Sequence, residues 1–467
     1  MAEPSAREWL RRLQGGELSA RELTRHYMDR IEQADPRLNA VVALEPEVAM
    51  AQAAAADRAR GRGEERPLLG LPVTIKDSLE VAGMVSTGGS AARAGFRPHH
   101  DATAVARLRA AGAVILAKTN CPEYSASYET DNALHGRTNH PLDPERTPGG
   151  SSGGEAALAG ADATPLGLGT DGGGSIRVPA HYCGVVGLRP TVGRVPDTGS
   201  WPATRASGYM DFYCVGPIAR SVDDAALVLP VLAGPDGVDP HAVPAPLHDP
   251  AGVEVGRLRV GWFTHSPGVP VTEGTVSAVA GAARALAGAG AELVKVEPPW
   301  EPNPTALFFA AITADGGHQM RADVAAAAGR HHESLAGLIA AAAERALSAA
   351  DWFAVQREVY GLRARVRGLL TEVDALLSPV VAGPAPLHGM PPAGIPREEY
   401  AEFRAFDFVH LYAIGGVPAA SVPVGIEDGL PVGVQVAGPP FREDVVLAVA
   451  RVLEAGRQLS PYVNRAG

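Results

Sequence analysis

The sequence predicts an α/β protein in which helices cover both faces of a β-sheet. Short apolar segments of strand length alternate with longer helical segments along most of its 467 residues, which is the pattern of stacked sheet and helix layers. The hydrophobic content of 46% with 20% charged residues is that of a soluble globular protein. Because neither a fixed-period repeat nor a linker divides the chain, we expect one domain spanning residues 1–467.

The N-terminal residues 1–65 are predicted to be helical. Ser19 and Glu22 have the spacing of a capping box, and apolar residues follow at four-residue intervals, as on one face of a helix. A second, alanine-rich helix is expected over residues 47–60, after which the pattern changes to alternating strands and helices. The predicted strands are residues 71–75, 113–117, 165–168, 257–263 and 429–436, and the predicted helices are residues 103–111, 277–287, 334–370 and 443–456.

Charge and cysteine content exclude several classes of partner. The net charge is −11, from 52 acidic and 41 basic residues, and such a surface repels phosphate backbones and anionic lipid. We therefore expect no nucleic-acid partner and no membrane partner. Cys121, Cys183 and Cys214 are too widely spaced for a disulfide framework or a zinc motif. The N-terminus lacks the apolar core of a signal peptide, so a cytoplasmic location with reduced thiols is expected.

Lysine usage provides the first chemical clue, because only three of the 41 basic residues are lysines. Lys76 ends the predicted strand 71–75, where burial would lower its pKa and let the amine serve as a base, which a guanidinium cannot do. The alternative is a lysine at a strand end whose amine reaches solvent. Lys118 follows a similar apolar segment, so position alone does not choose between the two, and Lys295 is expected to be exposed.

Two glycine-rich loops provide the second clue. Residues 149–154 read Gly-Gly-Ser-Ser-Gly-Gly, and residues 172–175 read Gly-Gly-Gly-Ser. A serine after three glycines allows backbone N–H groups to converge beside its hydroxyl, which is the geometry of an oxyanion hole. The alternative is a pair of tight turns, and it is weakened because both loops follow a candidate lysine base.

Three familiar motifs match the same region poorly. Residues 149–153 have the G-x-S-x-G spacing of a nucleophile elbow, but that motif needs a strand directly before it, and here a proline-containing loop precedes it. Residues 167–172 have the G-x-G-x-x-G spacing of a dinucleotide fingerprint, but Pro179 would interrupt the helix that must follow. No serine lies three residues before any lysine, which excludes a Ser-x-x-Lys site.

Long ordered motifs surround the lysine and the two loops. Beyond the strand ending at Lys76 and the loop 149–154, they are Gly-Thr-Asp-Gly-Gly-Gly-Ser-Ile-Arg-Val-Pro-Ala (169–180), Cys-Gly-Val-Val-Gly-Leu-Arg-Pro-Thr (183–191), Gly-Pro-Ile-Ala-Arg-Ser-Val-Asp-Asp-Ala (216–225) and Gly-Leu-Pro-Val-Gly-Val-Gln (429–435). With these motifs the chain resembles the amidase-signature family. The resemblance covers nearly the whole chain and is densest over residues 70–230.

The resemblance implies a fold and a catalytic triad. Family members fold as one α/β domain with a central mixed, twisted sheet between layers of helices. By position, the catalytic lysine falls on Lys76, the nucleophile on Ser175, and the bridging serine, which usually follows a cis peptide bond, on Ser151. The implied reaction is hydrolysis of linear amides through an acyl-enzyme, which releases a carboxylic acid and ammonia or an amine. The oxyanion hole falls on the backbone amides of Gly172, Gly173, Gly174 and Ser175.

Further residues are carried over with the triad. Ser152, Asp171 and Arg177 are expected to brace the two glycine-rich loops. A small-molecule amide is the expected substrate, with no metal and no organic cofactor, and family habit favours a homodimer. The substrate pocket is expected among residues 124–132, 201–212 and 308–318, although core packing explains their aromatic residues equally well. The candidate pocket residues are Tyr128, Thr130, Asp131 and Asn132.

Two departures from the family pattern bear on the choice between functions. Glu155 stands where many members have serine, and the branch resembling fatty acid amide hydrolase also has glutamate there. Gly172 stands where threonine is common and adds flexibility to the predicted hole. Glu155 favours a free-standing hydrolase. The alternative is the amidase (glutaminase) component of a tRNA-dependent amidotransferase, which shares the triad and needs partner subunits, while the intact Lys–Ser–Ser set disfavours a non-catalytic scaffold.

Overall fold

The computed structural model describes residues 3–203, 208, 211–392 and 404–456. Within these ranges strands and helices alternate along the chain. The strands are β1 (Val41–Leu44), β2 (Pro72–Lys76), β3 (Val114–Thr119), β4 (Leu166–Asp171), β5 (Val186–Arg189), β6 (Cys214–Ala219), β7 (Arg259–Trp262), β8 (Glu292–Lys295), β9 (Ala375–Pro379), β10 (Ala419–Glu427) and β11 (Leu430–Ala437). The helices are α1 (Ala6–Gln14), α2 (Ala20–Leu38), α3 (Pro46–Gly61), α4 (Thr103–Ala110), α5 (Gly153–Gly160), α6 (Arg177–Cys183), α7 (Val222–Leu232), α8 (Glu273–Gly288), α9 (Pro304–Ile312), α10 (His318–Asp323), α11 (Glu333–Ala343), α12 (Ala349–Glu372), α13 (Asp407–Gly415) and α14 (Glu443–Ala455).

One mixed sheet contains all of these strands, in the order β1–β3–β2–β4–β6–β5–β10–β11–β9–β7–β8. Strand β2 pairs in parallel with β3 and β4, and β7 pairs in parallel with β8 and β9. The other neighbouring strands are antiparallel, including the hairpin of β10 and β11. The predicted α/β fold with a mixed central sheet is therefore confirmed.

Helices cover both faces of this sheet. Side chains that follow one another along a strand point to opposite faces, and in β9 Ala375 and Leu377 join one hydrophobic cluster while Leu376 joins another. The first cluster includes buried side chains of α2, α3, α4, α7, α8 and α14, and the second includes those of α9, α12 and α13. The sheet therefore lies between two helical layers.

Most predicted elements match observed ones to within a few residues, and the exceptions have local causes. Ser19 caps α2 and forms the reciprocal capping box with Glu22. The single helix predicted over residues 334–370 is wrong, because α11 ends before Glu344 and Ser348 begins a new helix by accepting from the N–H of Asp351. The prediction that residues 1–65 are helical is wrong at β1, a four-residue strand that follows α2. Strands β5, β6, β9 and β10 have no predicted counterpart either, since each contains glycine or proline, which are depleted in strands.

Candidate active site

Strand β2 places Lys76 at its carboxyl end, inside the protein. The side chain is fully buried, and its Nζ lies 2.6 Å from Ser151 Oγ and 2.7 Å from Thr170 Oγ1 on the neighbouring strand β4. Burial lowers the pKa of Lys76 to about 8, because the charged amine loses its hydration. Burial therefore raises the fraction of Lys76 that is neutral near pH 7, and the neutral amine is the form that accepts a proton.

Lys118, the neighbouring buried lysine, has a different environment. Its Nζ lies 3.1 Å from Asp77 Oδ1 and 2.8 Å from Leu79 O. A carboxylate and a carbonyl oxygen both favour the charged ammonium form. These contacts give Lys118 a buried ion pair, whereas both hydrogen-bonding partners of Lys76 are hydroxyl groups. The surroundings therefore separate two lysines that look alike in the sequence, and Lys295 is exposed on β8, as predicted.

The loop before α5 holds Ser151 beside Lys76. The peptide bond between Gly150 and Ser151 is cis, as the resemblance implied. Gly149 has a φ of 84°, which favours glycine, and a Cβ atom on Gly150 would lie 2.7 Å from Ser127 O. Backbone conformation and close packing therefore explain these two glycines, and the serine that follows them carries the side chain that reaches the lysine.

Asp171, at the end of β4, braces the loop that carries Ser175. Its carboxylate accepts the backbone N–H groups of Gly174 at 2.7 Å and Ile176 at 3.2 Å, and it lies 3.0 Å from Arg177 Nε. Burial alone would raise the pKa of Asp171, but the adjacent Arg177 guanidinium holds that pKa at about 2. The carboxylate is therefore charged at neutral pH, and its contacts agree with the bracing expected of both side chains.

Three of the four residues predicted to form an oxyanion hole line a cavity. They are Gly172, Gly173 and Ser175, and within the described part of the chain their backbone N–H groups have no acceptor. Gly174 differs, because its N–H donates to Asp171 and the residue lies outside the cavity wall. The N–H of Gly174 is therefore already paired, and the other three predicted donors face the cavity, while the oxyanion hole itself stays a prediction.

Ser152 connects the two glycine-rich loops. Its N–H donates to Ser175 O at 3.1 Å, and its hydroxyl donates to Thr170 O at 3.2 Å. These bonds hold the loop of Ser151 against the loop of Ser175, as expected of a bracing residue. Ser151 and Ser175 line the same cavity, and no hydrogen bond joins their hydroxyl groups in the described structure.

The cavity beside the two serines has a volume of about 1030 Å³. Pockets that bind small molecules usually measure about 300–1000 Å³ and combine apolar walls with a few polar groups. Here the Ser151 hydroxyl lies 2.6 Å from Lys76 Nζ, and aromatic and aliphatic side chains form much of the remaining wall. The apolar residues that line it include Phe308, Phe309, Ile312 and Leu338.

Only one of the four candidate pocket residues, Tyr128, lines this cavity. Thr130 is buried, and its hydroxyl donates to the backbone of the loop 149–154 at 2.8 Å. Asn132 is also buried and donates to a neighbouring backbone carbonyl at 2.9 Å. Asp131 lies 3.5 Å from the imidazole of the histidine that caps α11. The prediction is therefore corrected at Thr130, Asp131 and Asn132, whose side chains contact other parts of the protein.

The two other predicted pocket segments both contribute to the cavity. In the segment 201–212, Pro202 lines the cavity, and residues 204–207, 209 and 210 lie outside the described residues. The segment 308–318 contributes Phe308, Phe309, Ala310, Ile312 and Thr313. Sequence reasoning did not find the contribution of α11 and the segment that follows it, from which several residues between 333 and 347 line the cavity.

Two residues near the predicted catalytic residues were also missed. Thr170 lies on β4 within the motif 169–180, and its hydroxyl is the second hydrogen-bonding partner of Lys76. The alternation of side chains along this strand was a sequence signal that could have indicated this contact. His410 is buried on α13, and its Nε2 lies 2.7 Å from Tyr128 Oη. No spacing in the sequence connects this histidine with the glycine-rich loops.

The described residues show neither a metal-binding group nor a membrane-spanning helix. Among them no three His, Cys, Asp or Glu side chains form a group that could hold a metal ion. Cys121, Cys183 and Cys214 are buried free thiols. No helix in the described ranges combines the length and apolar character needed to span a membrane.

Comparison with known proteins identifies the family. A family model described as Amidase matches residues 22–447. The putative amidase AmiB2 of Mycobacterium tuberculosis is 36% identical, with 97% of this chain and 96% of that protein covered. A glutamyl-tRNA(Gln) amidotransferase component of Salinispora arenicola is 35% identical, with 94% of each chain covered. The crystal structure of a bacterial aryl acylamidase of the amidase-signature family matches with a TM-score of 0.88 at 29% identity, covering 97% of this chain and 96% of that chain.

The chain therefore belongs to the amidase-signature family. As a member of this family it is a hydrolase that acts on the carbon–nitrogen bonds of amides. The similar proteins include both an acylamidase and an amidotransferase component.

Proposed function

We propose that the protein hydrolyses linear amides through an acyl-enzyme on Ser175, with Ser151 and Lys76 as the proton relay. The observation that carries the proposal is the 2.6 Å contact between Lys76 Nζ and Ser151 Oγ, in a cavity wall that also contains Ser175. Burial lowers the pKa of Lys76, and its two hydrogen-bonding partners are hydroxyl groups, so the neutral amine is available as a base.

In the proposed acylation step, the proton moves from Ser175 to Ser151 and from Ser151 to Lys76. Ser175 Oγ forms a bond to the amide carbonyl carbon, and the carbonyl electron pair moves to oxygen. The same relay in reverse delivers a proton to the leaving nitrogen, because an amide anion is too poor a leaving group. The carbon–nitrogen bond then breaks, ammonia or an amine leaves, and an ester remains on Ser175. Water attacks this ester and releases the carboxylic acid.

The backbone amides of Gly172, Gly173 and Ser175 are the proposed donors to the negative oxygen of the tetrahedral intermediate. They line the cavity and have no acceptor within the described ranges, so a substrate oxygen would supply one. Loss of a single donor of this kind typically raises the reaction barrier by about 2.7–4 kcal/mol. This contribution depends on the donors being held in place before the reaction starts.

The apolar cavity supports a substrate with a bulky hydrocarbon or aryl group. Its volume of about 1030 Å³ is at the upper end of the usual range of about 300–1000 Å³. Apolar side chains such as Phe308, Phe309 and Leu338 line it, and burial of apolar substrate surface contributes about 25 cal/mol per Å². A fatty acyl or aryl amide matches this lining better than glutamine, which is small and polar.

The glutaminase component of an amidotransferase is the second candidate function. It is supported by the 35% identity to the Salinispora arenicola protein over 94% of both chains. In that case the site would act on glutamine, and partner proteins would receive the ammonia. The two functions share the same acyl-enzyme chemistry and differ in substrate and in the need for partners.

The deciding experiment measures amide hydrolysis by the purified protein alone. We expect turnover of a decanoyl p-nitroanilide, loss of this turnover in Ser175→Ala, and no Ser175-dependent release of ammonia from glutamine. Ser421→Ala is the matched control, because Ser421 is a buried serine on β10 outside the cavity wall. Ser175-dependent ammonia release from glutamine without anilide hydrolysis would favour the amidotransferase component. Full anilide turnover by Ser175→Ala would reject the proposed nucleophile.

A further inference from the structure

A chain of hydrogen bonds ends on the backbone carbonyl of Gly173. Tyr128 Oη donates to Gly173 O at 2.7 Å and lies 2.7 Å from His410 Nε2. On the other side of the imidazole ring, His410 Nδ1 lies 2.8 Å from Thr305 Oγ1. His410 and Thr305 are fully buried. The chain therefore connects helices α9 and α13 with the loop that carries Ser175.

Counting donors fixes the direction of each bond in this chain. Tyr128 has one hydroxyl proton, which it donates to Gly173 O, so its oxygen has to accept the Nε2–H of His410. A neutral imidazole with this tautomer has a free lone pair on Nδ1, which accepts the hydroxyl proton of Thr305, a proton that the nearby Asp407 carboxylate can also accept. Burial lowers the pKa of His410 to about 3, so the ring is neutral at physiological pH and the tautomer is maintained.

The peptide group between Gly173 and Gly174 is held from both sides. Its carbonyl accepts from Tyr128, and its N–H donates to Asp171 Oδ1 at 2.7 Å. Glycine backbone adopts many conformations unless its surroundings restrict it, so a loop of consecutive glycines needs such restraints. The amides of Gly173 and Ser175 belong to the peptide groups on either side of the clamped one, so its orientation restricts the directions of both N–H bonds.

Aromatic packing restricts the side chains of this network. The Tyr128 ring stacks on Phe406, with ring centroids 3.8 Å apart and an interplanar angle of 10°. The His410 ring stacks on Phe308 at a centroid distance of 4.4 Å. A Cβ atom added at Gly173 would lie 2.8 Å from Phe308 Cζ and 2.9 Å from His410 Nε2. The glycine loop is therefore packed closely against the rings that orient it.

We infer that Tyr128, His410 and Thr305 are positioning residues for the oxyanion hole, an inference that rests on the proposed function. They act through the carbonyl of Gly173 and hold the neighbouring donors in the direction of the developing negative charge. Tyr128 has a second role, because its ring lines the cavity. Removal of its hydroxyl alone therefore separates orientation of the loop from substrate binding.

The test compares Tyr128→Phe with Tyr412→Phe, which removes a hydroxyl on the same helix as His410 that donates to Ser378 Oγ. For decanoyl p-nitroanilide, Tyr128→Phe should lower kcat by about 10–100-fold and change KM by less than about threefold, because small misplacements of an oxyanion donor act on the transition state. Tyr412→Phe should keep the wild-type kcat. An aryl trifluoromethyl ketone, whose adduct with Ser175 places an oxyanion in the hole, should lose affinity in Tyr128→Phe by the same factor as kcat/KM.

A second pair of variants tests the far end of the network. Thr305→Ser keeps the hydroxyl that donates to His410 and should retain the wild-type kcat. Thr305→Val removes that hydroxyl and should have a lower kcat. Equal kcat values for Tyr128→Phe and Tyr412→Phe would overturn the inference, and so would unchanged trifluoromethyl ketone affinity in Tyr128→Phe. Wild-type turnover by Ser175→Ala would reject the proposed function together with this inference. If Ser175→Ala is inactive and Tyr128→Phe is fully active, the positioning role of Tyr128 is rejected and the proposed function stands.

Discussion

Replacement of Thr170 with valine should shift the rising limb of the pH–rate profile to lower pH. In the wild-type protein Lys76 has to be neutral to accept a proton, and burial lowers its pKa to about 8. The value of kcat/KM should therefore rise about tenfold per pH unit below about pH 8 and level off above it. An amine with the ordinary lysine pKa would still be gaining activity at about pH 10.

The size of the shift follows from the contact that is removed. Thr170 Oγ1 lies 2.7 Å from Lys76 Nζ and accepts a hydrogen bond from the ammonium form. Loss of this acceptor disfavours the charged form, so the pKa of Lys76 should fall further. A hydrogen bond to a charged group contributes about 1.5–3 kcal/mol, and one pKa unit corresponds to about 1.4 kcal/mol, so the midpoint should move down by about one to two pH units.

The assay is anilide hydrolysis between about pH 5 and pH 10, with kcat/KM fitted at each pH. Thr371→Val is the matched control, because the Thr371 hydroxyl bonds within α12 at an exposed position, and its profile should match that of the wild type. An unchanged midpoint in Thr170→Val, or a wild-type midpoint above about pH 9.5, would refute the reasoning that a desolvated Lys76 is the base.

Phe309→Ala should raise KM for a decanoyl anilide about tenfold, since it removes an apolar side chain from the cavity wall. Phe353→Ala changes an exposed residue and should leave KM unchanged. Equal KM values for the two variants would contradict the apolar pocket. Asp171→Asn leaves the buried Arg177 without its closest charge partner and should therefore lower the free energy of unfolding by about 3–5 kcal/mol in urea titrations. A loss below about 1 kcal/mol would show that this ion pair is not a principal brace of the loop. Glu155→Gln should reduce the pH dependence of stability. Burial raises the pKa of Glu155 to about 8, above its value in the unfolded chain, so its contribution to stability is complete at acidic pH and is lost as pH rises through about 8. Thermal melts should therefore show a larger loss of stability between about pH 6 and pH 9 for the wild type than for the variant. Parallel losses of stability in the two proteins would contradict this pKa.

The parts of the fold that were predictable are those encoded by local pattern. The capping box of Ser19 and Glu22 marks the start of α2, and the apolar run before Lys76 marks β2, because side-chain periodicity and capping act over a few residues. Strands β6 and β10 were missed because they contain Pro217 and Pro423, and their pairing depends on distant neighbours in the sheet.

The candidate site, like the fold, has features that local sequence predicts and features that depend on distant contacts. Lys76, Ser151 and Ser175 stand in long ordered motifs, and the structure brings Lys76 into contact with Ser151 and places both serines in one cavity wall. The difference between the two buried lysines was not predictable, since it depends on the carboxylate that faces Lys118 in three dimensions. The contact between Tyr128 and its partner histidine likewise depends on how α13 packs against the loops.

Reaction of the purified protein with a fluorophosphonate, followed by peptide mass spectrometry, tests the proposed triad most directly. The activated serine displaces fluoride from phosphorus, so a single adduct should map to Ser175 and be absent from Ser175→Ala. Lys76→Met and Ser151→Ala should slow this labelling by at least about 100-fold, because both remove the proton relay. An adduct on another residue, or labelling of Ser175 at the wild-type rate without Lys76, would contradict the account.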